Sequence, residues 1–200
     1  MKKLDLIDIK TGSSPRFTYA FKTLGCKANV YDSLVLEENL RKQGGQAATT
    51  HDAVDYFFVN SCTVTAEADR QSIREVQRAK RDHTNTKTIF TGCMAEVSQQ
   101  VLNKEASIDY VFKNSEKDKI SHLVESLIRG TTPDYSKLPE TFDESVFWGE
   151  LPINAGKTRA FLKIQEGCND YCTYCIIPYA RGKSRSVALD RIIFVVPTLR

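Results

Sequence analysis

The chain has 200 residues, 41% hydrophobic and 26% charged, enough for one full globular domain and part of a second. Its net charge of +3 permits nucleic-acid binding without arguing for it, so any basic surface has to be local. No apolar run approaches the length of a membrane span and the opening MKKLDLIDIK lacks a signal-peptide core. A cytoplasmic location with no membrane partner is therefore expected, and there the six cysteines serve as metal ligands or catalysts sooner than as disulfides.

Residues 1–15 read as a polar lead-in. The run Phe17 to Thr23 predicts a strand that ends at Leu24-Gly25-Cys26. Helical spacing of Leu34, Leu36 and Leu40 predicts a helix over about 30–42, stopped by Gly44-Gly45. Val54 to Asn60 is a second strand, followed by Ser61-Cys62, and a polar helix covers about 66–82. Thr86 to Phe90 is a third strand, ending at Thr91-Gly92-Cys93. A helix over about 98–105, a short strand at 110–113 and a helix over 117–129 closed by Gly130 complete the series.

Alternating strands and helices predict an α/β fold, a doubly wound parallel sheet with crossover helices. The nearly continuous apolar strands fit a sheet covered on both faces. Carboxyl ends of parallel strands share one edge, where such folds bind ligands. Cys26, Cys62 and Cys93 each follow a strand and can converge there. From 131 to 158, Pro133, Pro139 and Pro152 with scattered acids predict a linker. A new strand over 160–165 leads into a cysteine cluster, and a helix is expected from about Ala188 to the end.

The cluster is Cys168-x-x-x-Cys172-x-x-Cys175, three thiols directly after a strand. Iron–sulfur clusters are held by thiolates. Three ligands on a four-iron cluster leave one iron open for a small molecule. Cys172 and Cys175 alone would also suit half a zinc site or a redox pair. Zinc needs a fourth ligand, and His51, His83 and His122 lie far away in sequence.

This spacing resembles the signature of the radical S-adenosylmethionine (SAM) superfamily, with Tyr174 at its usual aromatic position. The resemblance implies that Cys168, Cys172 and Cys175 bind a [4Fe–4S] cluster whose open iron takes SAM, the cofactor doing the hard chemistry. Thr23-Leu-Gly-Cys26-Lys-Ala-Asn29, Asn60-Ser-Cys62-Thr-Val-Thr65 and Thr91-Gly-Cys93-Met94 are similar to segments of the methylthiotransferases. That family implies a second [4Fe–4S] cluster on Cys26, Cys62 and Cys93. Taken singly, each of these three would equally suit a buried structural cysteine.

Finer matches, Thr23 through Asn29, Asn60 through Ser72, Lys157 through Cys168 and Ile177 through Ser186, are most similar to the branch acting on N6-threonylcarbamoyladenosine in tRNA. The resemblance implies conversion of that base, at tRNA position 37, to its 2-methylthio form. Related branches act on isopentenyladenosine in tRNA or on a ribosomal protein. The implied partners are tRNA rather than DNA, a flavodoxin- or ferredoxin-type electron donor, and a sulfur source.

RNA binding needs phosphate contacts. Arg70, Arg74, Arg78 and Arg81 share one face of the second helix, as an RNA contact or a solvated face. Arg181, Lys183 and Arg185 follow the triplet closely and are the better candidates, with pairing to SAM or to linker acids as the alternative.

The resemblance covers residues 17 to about 193. It divides the chain into a methylthiotransferase N-terminal domain (16–130), the linker (131–158) and an incomplete radical-SAM domain (159–200). The last holds only the first β/α unit of a (β/α) barrel. Pro197 interrupts the expected final helix at a cost of about 3 kcal/mol. A C-terminally truncated chain is the expectation, with a non-catalytic iron–sulfur remnant as the alternative function.

Overall fold

The computed structural model describes residues 15–134 and 161–195. The lead-in, most of the linker and Pro197 lie outside the described residues.

The first segment forms five parallel strands: β1 (Phe17–Thr23), β2 (Gly45–Ala47), β3 (Tyr56–Ser61), β4 (Lys87–Gly92) and β5 (Tyr110–Val111). Their spatial order is β2-β1-β3-β4-β5. Four helices lie between them, α1 (Lys27–Lys42), α2 (Ala66–Asp82), α3 (Cys93–Val97) and α4 (Gln99–Leu102), and α5 (Lys119–Ile128) follows β5. The sheet is the doubly wound arrangement expected from the strand–helix alternation. Chain order reverses between β1 and β3, the switch point where such sheets open a crevice.

Alternation along the strands builds two cores. Phe17, Tyr19, Tyr56, Phe58 and Ile89 face α1 and α5, meeting Leu36, Leu40, Ile120, Leu123 and Val124. Ala20, Phe57, Val59 and Phe90 face the other way, onto Val76 and Ala79 of α2 and Met94 and Leu102 beyond β4. All six residues of β3 are buried, as a central parallel strand requires. Aromatic contacts knit the first core, with Phe21 stacked on Phe58 at 4.5 Å between ring centroids.

α2 begins where Thr65 accepts a hydrogen bond from the Ala68 amide at 3.1 Å. Glu67 and Asp69 in its first turn, and Lys80 and Arg81 in its last, complement the helix dipole.

Several boundaries differ from the sequence reading. α1 starts three residues earlier than expected, directly after Cys26. Gly44, at φ +90°, ends α1, but Gly45 opens β2, an edge strand without the apolar run that would reveal it. The expected helix over 98–105 is two short helices, and the first opens at Cys93. Gly92, at φ +101°, turns the chain from β4 straight into α3.

In the second segment, β6 (Gln165–Glu166) pairs antiparallel with β7 (Arg185–Ser186). Between them lie the cysteine loop and α6 (Ile177–Arg181), and α7 (Leu189–Val195) follows. Among the described residues, the strand expected over 160–165 is a two-residue rung whose one ladder partner is β7. Gly167 permits the tight approach of the two strands: at φ +77°, a Cβ there would sit 2.2 Å from the Lys183 carbonyl oxygen.

Candidate functional site

The three N-terminal cysteines lie along the carboxyl edge of the sheet. Cys26 follows β1 and caps α1, Cys62 follows β3, and Cys93 opens α3 after β4. These three strands are neighbours, and Cys26 and Cys62 flank the switch point. Cys26 is exposed, whereas Cys62 and Cys93 are 6% and 3% accessible.

Asn29, one turn into α1, organises this edge. Its Nδ2 donates to the Leu24 carbonyl at 2.7 Å and to the Ser61 carbonyl at 2.8 Å, fastening the ends of β1 and β3. Its Oδ1 lies 4.0 Å from Cys93 Sγ. Gly25 completes the approach, since a Cβ there would stand 2.8 Å from Cys62 Sγ. Asn114 Nδ2 lies 3.8 Å from Cys93 Sγ and donates to the Ala180 carbonyl at 2.6 Å, linking α6 to the site.

Beside the cysteines is a buried ionic cluster. Asp32 of α1 receives Lys117 at 2.7 Å, Lys163 at 2.5 Å and Arg181 at 3.2 Å. Glu166 receives Lys163 at 3.2 Å and pairs with Arg181. Arg181 also donates to Asn29 Oδ1. Burial alone would raise the Asp32 carboxyl, but the charges of Lys117, Lys163 and Arg181 outweigh it and hold the group well below the usual carboxylate range. Burial pushes the Lys117 ammonium down against the pull of Asp32. Burial also disfavours the Arg181 charge, but Asp32, Cys93, Glu166 and Cys26 more than compensate. Lys163 and Glu166 bring the 161–166 stretch onto α1, where Leu162 packs on Tyr31 and Val35.

The second triplet sits on the loop between β6 and α6. Cys168 and Cys175 are half-buried and Cys172 is exposed. The Cys175 amide donates to the Cys172 carbonyl at 2.9 Å, and the Cys168 amide to the Gly182 carbonyl at 3.1 Å. Tyr171 takes φ +46° in this loop, and Tyr174 is 90% exposed.

All six cysteines are free thiols. Among the described residues, no three His, Cys, Asp or Glu side chains stand together as ligands of a single metal ion. A four-iron cluster asks for something else: one thiolate on each of three separate irons. The donors fit it in kind, being all thiol. The first site fits in a second respect. Arg181 Nε, Asn60 Oδ1, Thr91 Oγ1 and Asn114 Oδ1 are buried there without a partner among the described residues. Buried polar atoms seldom stay unsatisfied.

The basic candidates separate sharply. Arg70 and Arg74 are exposed and share Glu67. Arg78 is tucked in, paired with Glu75 at 2.8 Å and donating to the Thr50 carbonyl. Lys183 is exposed and Arg185 lies at the rim, 3.6 Å from Glu166. Arg181 stands apart: its guanidinium is inside the protein, held by carboxylates, and offers no surface to a phosphate in this conformation. Asn29, Asp32, Lys117, Lys163 and Glu166 had no role in the sequence reading. Asn29 carried a signal as the last residue of the motif that contains Cys26, and Lys163 and Glu166 lie in the matching segment before Cys168; Asp32 and Lys117 carried none.

A parallel sheet bearing three free thiols on its functional edge defines the class, and comparison gives the family. Residues 18–113 match the model of "Uncharacterized protein family UPF0004". Residues 18–113 thus carry that family's domain, and most of the chain is similar to methylthiotransferases. It is 35% identical over 187 residues to the "Threonylcarbamoyladenosine tRNA methylthiotransferase MtaB" of Aquifex aeolicus, covering 90% of this chain and 44% of that protein. The same-named protein of Bacillus subtilis is 32% identical, over 88% of this chain and 39% of its own length. The "tRNA-2-methylthio-N(6)-dimethylallyladenosine synthase" of Sphingopyxis alaskensis is 34% identical, over 84% and 38%. The chain therefore spans less than half the length of these relatives. Among the described residues, no helix is long and apolar enough to cross a membrane.

Proposed function

We propose that this chain carries the cofactor-binding N-terminal part of a radical SAM methylthiotransferase. Its substrate would be N6-threonylcarbamoyladenosine at tRNA position 37, converted to the 2-methylthio derivative in the cytoplasm. The observation that carries this reading is the set of three free cysteines at the carboxyl ends of β1, β3 and β4, followed in the same chain by the Cys168/Cys172/Cys175 loop. Similarity to the threonylcarbamoyladenosine enzymes supports the choice of base.

Cys26, Cys62 and Cys93 would hold one [4Fe–4S] cluster, and Cys168, Cys172 and Cys175 the other. When bound, the clusters supply the one-electron cleavage of SAM and the sulfur chemistry at C2 of the adenine ring. The protein's own part is placement. Asn29 clamps the strand ends, and the Asp32 ion cluster docks the second loop against the first domain. Tyr174, exposed beside Cys175, would face SAM. Lys183, Arg70 and Arg74 are available for tRNA phosphates. An electron donor of flavodoxin or ferredoxin type and a sulfur source complete the requirements. The first β/α unit of a barrel is assigned to 159–200 on resemblance.

Similarity to a dimethylallyladenosine synthase supports a second reading, with the isopentenyl base as substrate. The test is anaerobic incubation of the reconstituted protein with SAM, a reductant and tRNA carrying either base, followed by mass spectrometry. A 2-methylthio product on the threonylcarbamoyl base alone supports the proposal. Product on the other base supports the second reading. The absence of 5′-deoxyadenosine would mark this chain as a cluster-binding remnant.

A further inference from the structure

Arg181 lies six residues beyond Cys175, yet its side chain is buried at the other cysteine site. One terminal nitrogen meets Asp32 and Glu166, and the other meets Asn29. Its Nε is buried without a partner among the described residues. Asn29 is in turn 4.0 Å from Cys93 Sγ, so only one side chain separates the guanidinium from a thiol of the first site. Asn114, 3.8 Å from the same sulfur, is bonded to the carbonyl of Ala180, the residue before Arg181. The second loop thus delivers a fixed positive charge to the edge of the first site.

We propose that Arg181 is a positioning residue for the Cys26/Cys62/Cys93 site, where its guanidinium stabilises the reduced, more negative state of the cluster and raises its reduction potential. The inference rests on the reading of that site as a [4Fe–4S] centre. Net charge and hydrogen bonding near the sulfurs are the principal protein controls on such potentials. A charge acts strongly here because Arg181, Asn29 and Cys93 are buried and water screens them little. A purely structural ion pair would affect stability but not the potential.

The test is a dithionite titration, followed by electron paramagnetic resonance, in a Cys168/Cys172/Cys175→Ala background where only the first site can bind iron. Arg181→Gln should shift the midpoint below that of the parent, with Arg181→Lys in between. Glu166→Gln removes a neighbouring negative charge while keeping the guanidinium, and should shift the midpoint upward. Unchanged midpoints in both Gln variants, at full iron content, would overturn the proposal. If Arg181→Gln binds no iron, Glu166→Gln alone decides: an upward shift supports the proposal and no shift overturns it. A parent protein that binds no iron would instead overturn the cluster reading, and this inference with it.

Discussion

Lys163 Nζ lies 2.5 Å from Asp32 Oδ1, an ion pair closed across 131 residues of chain. It joins the stretch before the second cysteine triplet to the helix that starts at the first cysteine. Lys117 and Arg181 reach the same carboxylate, so three parts of the sequence depend on one acidic side chain. Asp32→Asn leaves those cations without their common partner. Removing one member of a buried ion cluster costs about 3–5 kcal/mol, and urea unfolding should show a loss of that size.

The same carboxylate predicts a pH dependence. Its native pKa is depressed, so unfolding takes up a proton in acid. The stabilisation from Asp32 is complete above the unfolded value of about 4 and is lost as pH falls toward the native one. The stability gap between wild type and Asp32→Asn should therefore be constant at neutral pH and narrow below about pH 4. A gap that widened in acid would contradict this.

Asn29→Ala removes the donor that ties the ends of β1 and β3. Each buried carbonyl left unpaired costs about 1–3 kcal/mol. Denaturant unfolding measures the loss. Iron bound in the Cys168/Cys172/Cys175→Ala background should fall in parallel, because the clamp sets the spacing of Cys26 and Cys62.

Gly167→Ala should act on the second site alone. The added Cβ would meet the Lys183 and Gly182 carbonyl oxygens at 2.2 and 2.5 Å, forcing β6 and β7 apart beside Cys168. The expected result is iron reduced by about half, from two clusters to one. Loss of all iron would show that the two sites do not form independently.

The arginines of α2 should separate by role. Arg70→Ala with Arg74→Ala removes only exposed pairs to Glu67, a change within about 0.5 kcal/mol of stability, yet should weaken tRNA binding and flatten its salt dependence. Arg78→Ala breaks half-buried contacts to Glu75 and Thr50 and should cost stability instead. Filter binding across a salt series, beside thermal unfolding, distinguishes the two.

Local patterns made much of this fold legible. The apolar run of β1 and the polar stretch of α2 gave their limits directly, and the cysteines expected after strand ends lie on the carboxyl edge of the sheet. β2 escaped notice because an exposed three-residue edge strand carries no periodic signal. α3 escaped because Gly92 starts it without a polar spacer. The ion cluster was invisible for a different reason. Asp32 sits on a helix with ordinary charged neighbours, and its described ionic partners lie 85 to 149 residues away. The same distance effect takes Arg181 from a surface candidate to the interior.

The proposed function stands or falls on whether the two cysteine triplets are separate cluster sites. Iron and sulfide content after anaerobic reconstitution, in wild type and in Cys168/Cys172/Cys175→Ala, tests it most directly. The expected result is about eight irons per chain, falling to about four in the variant. Absence of iron from both proteins, with zinc bound in its place, would contradict it.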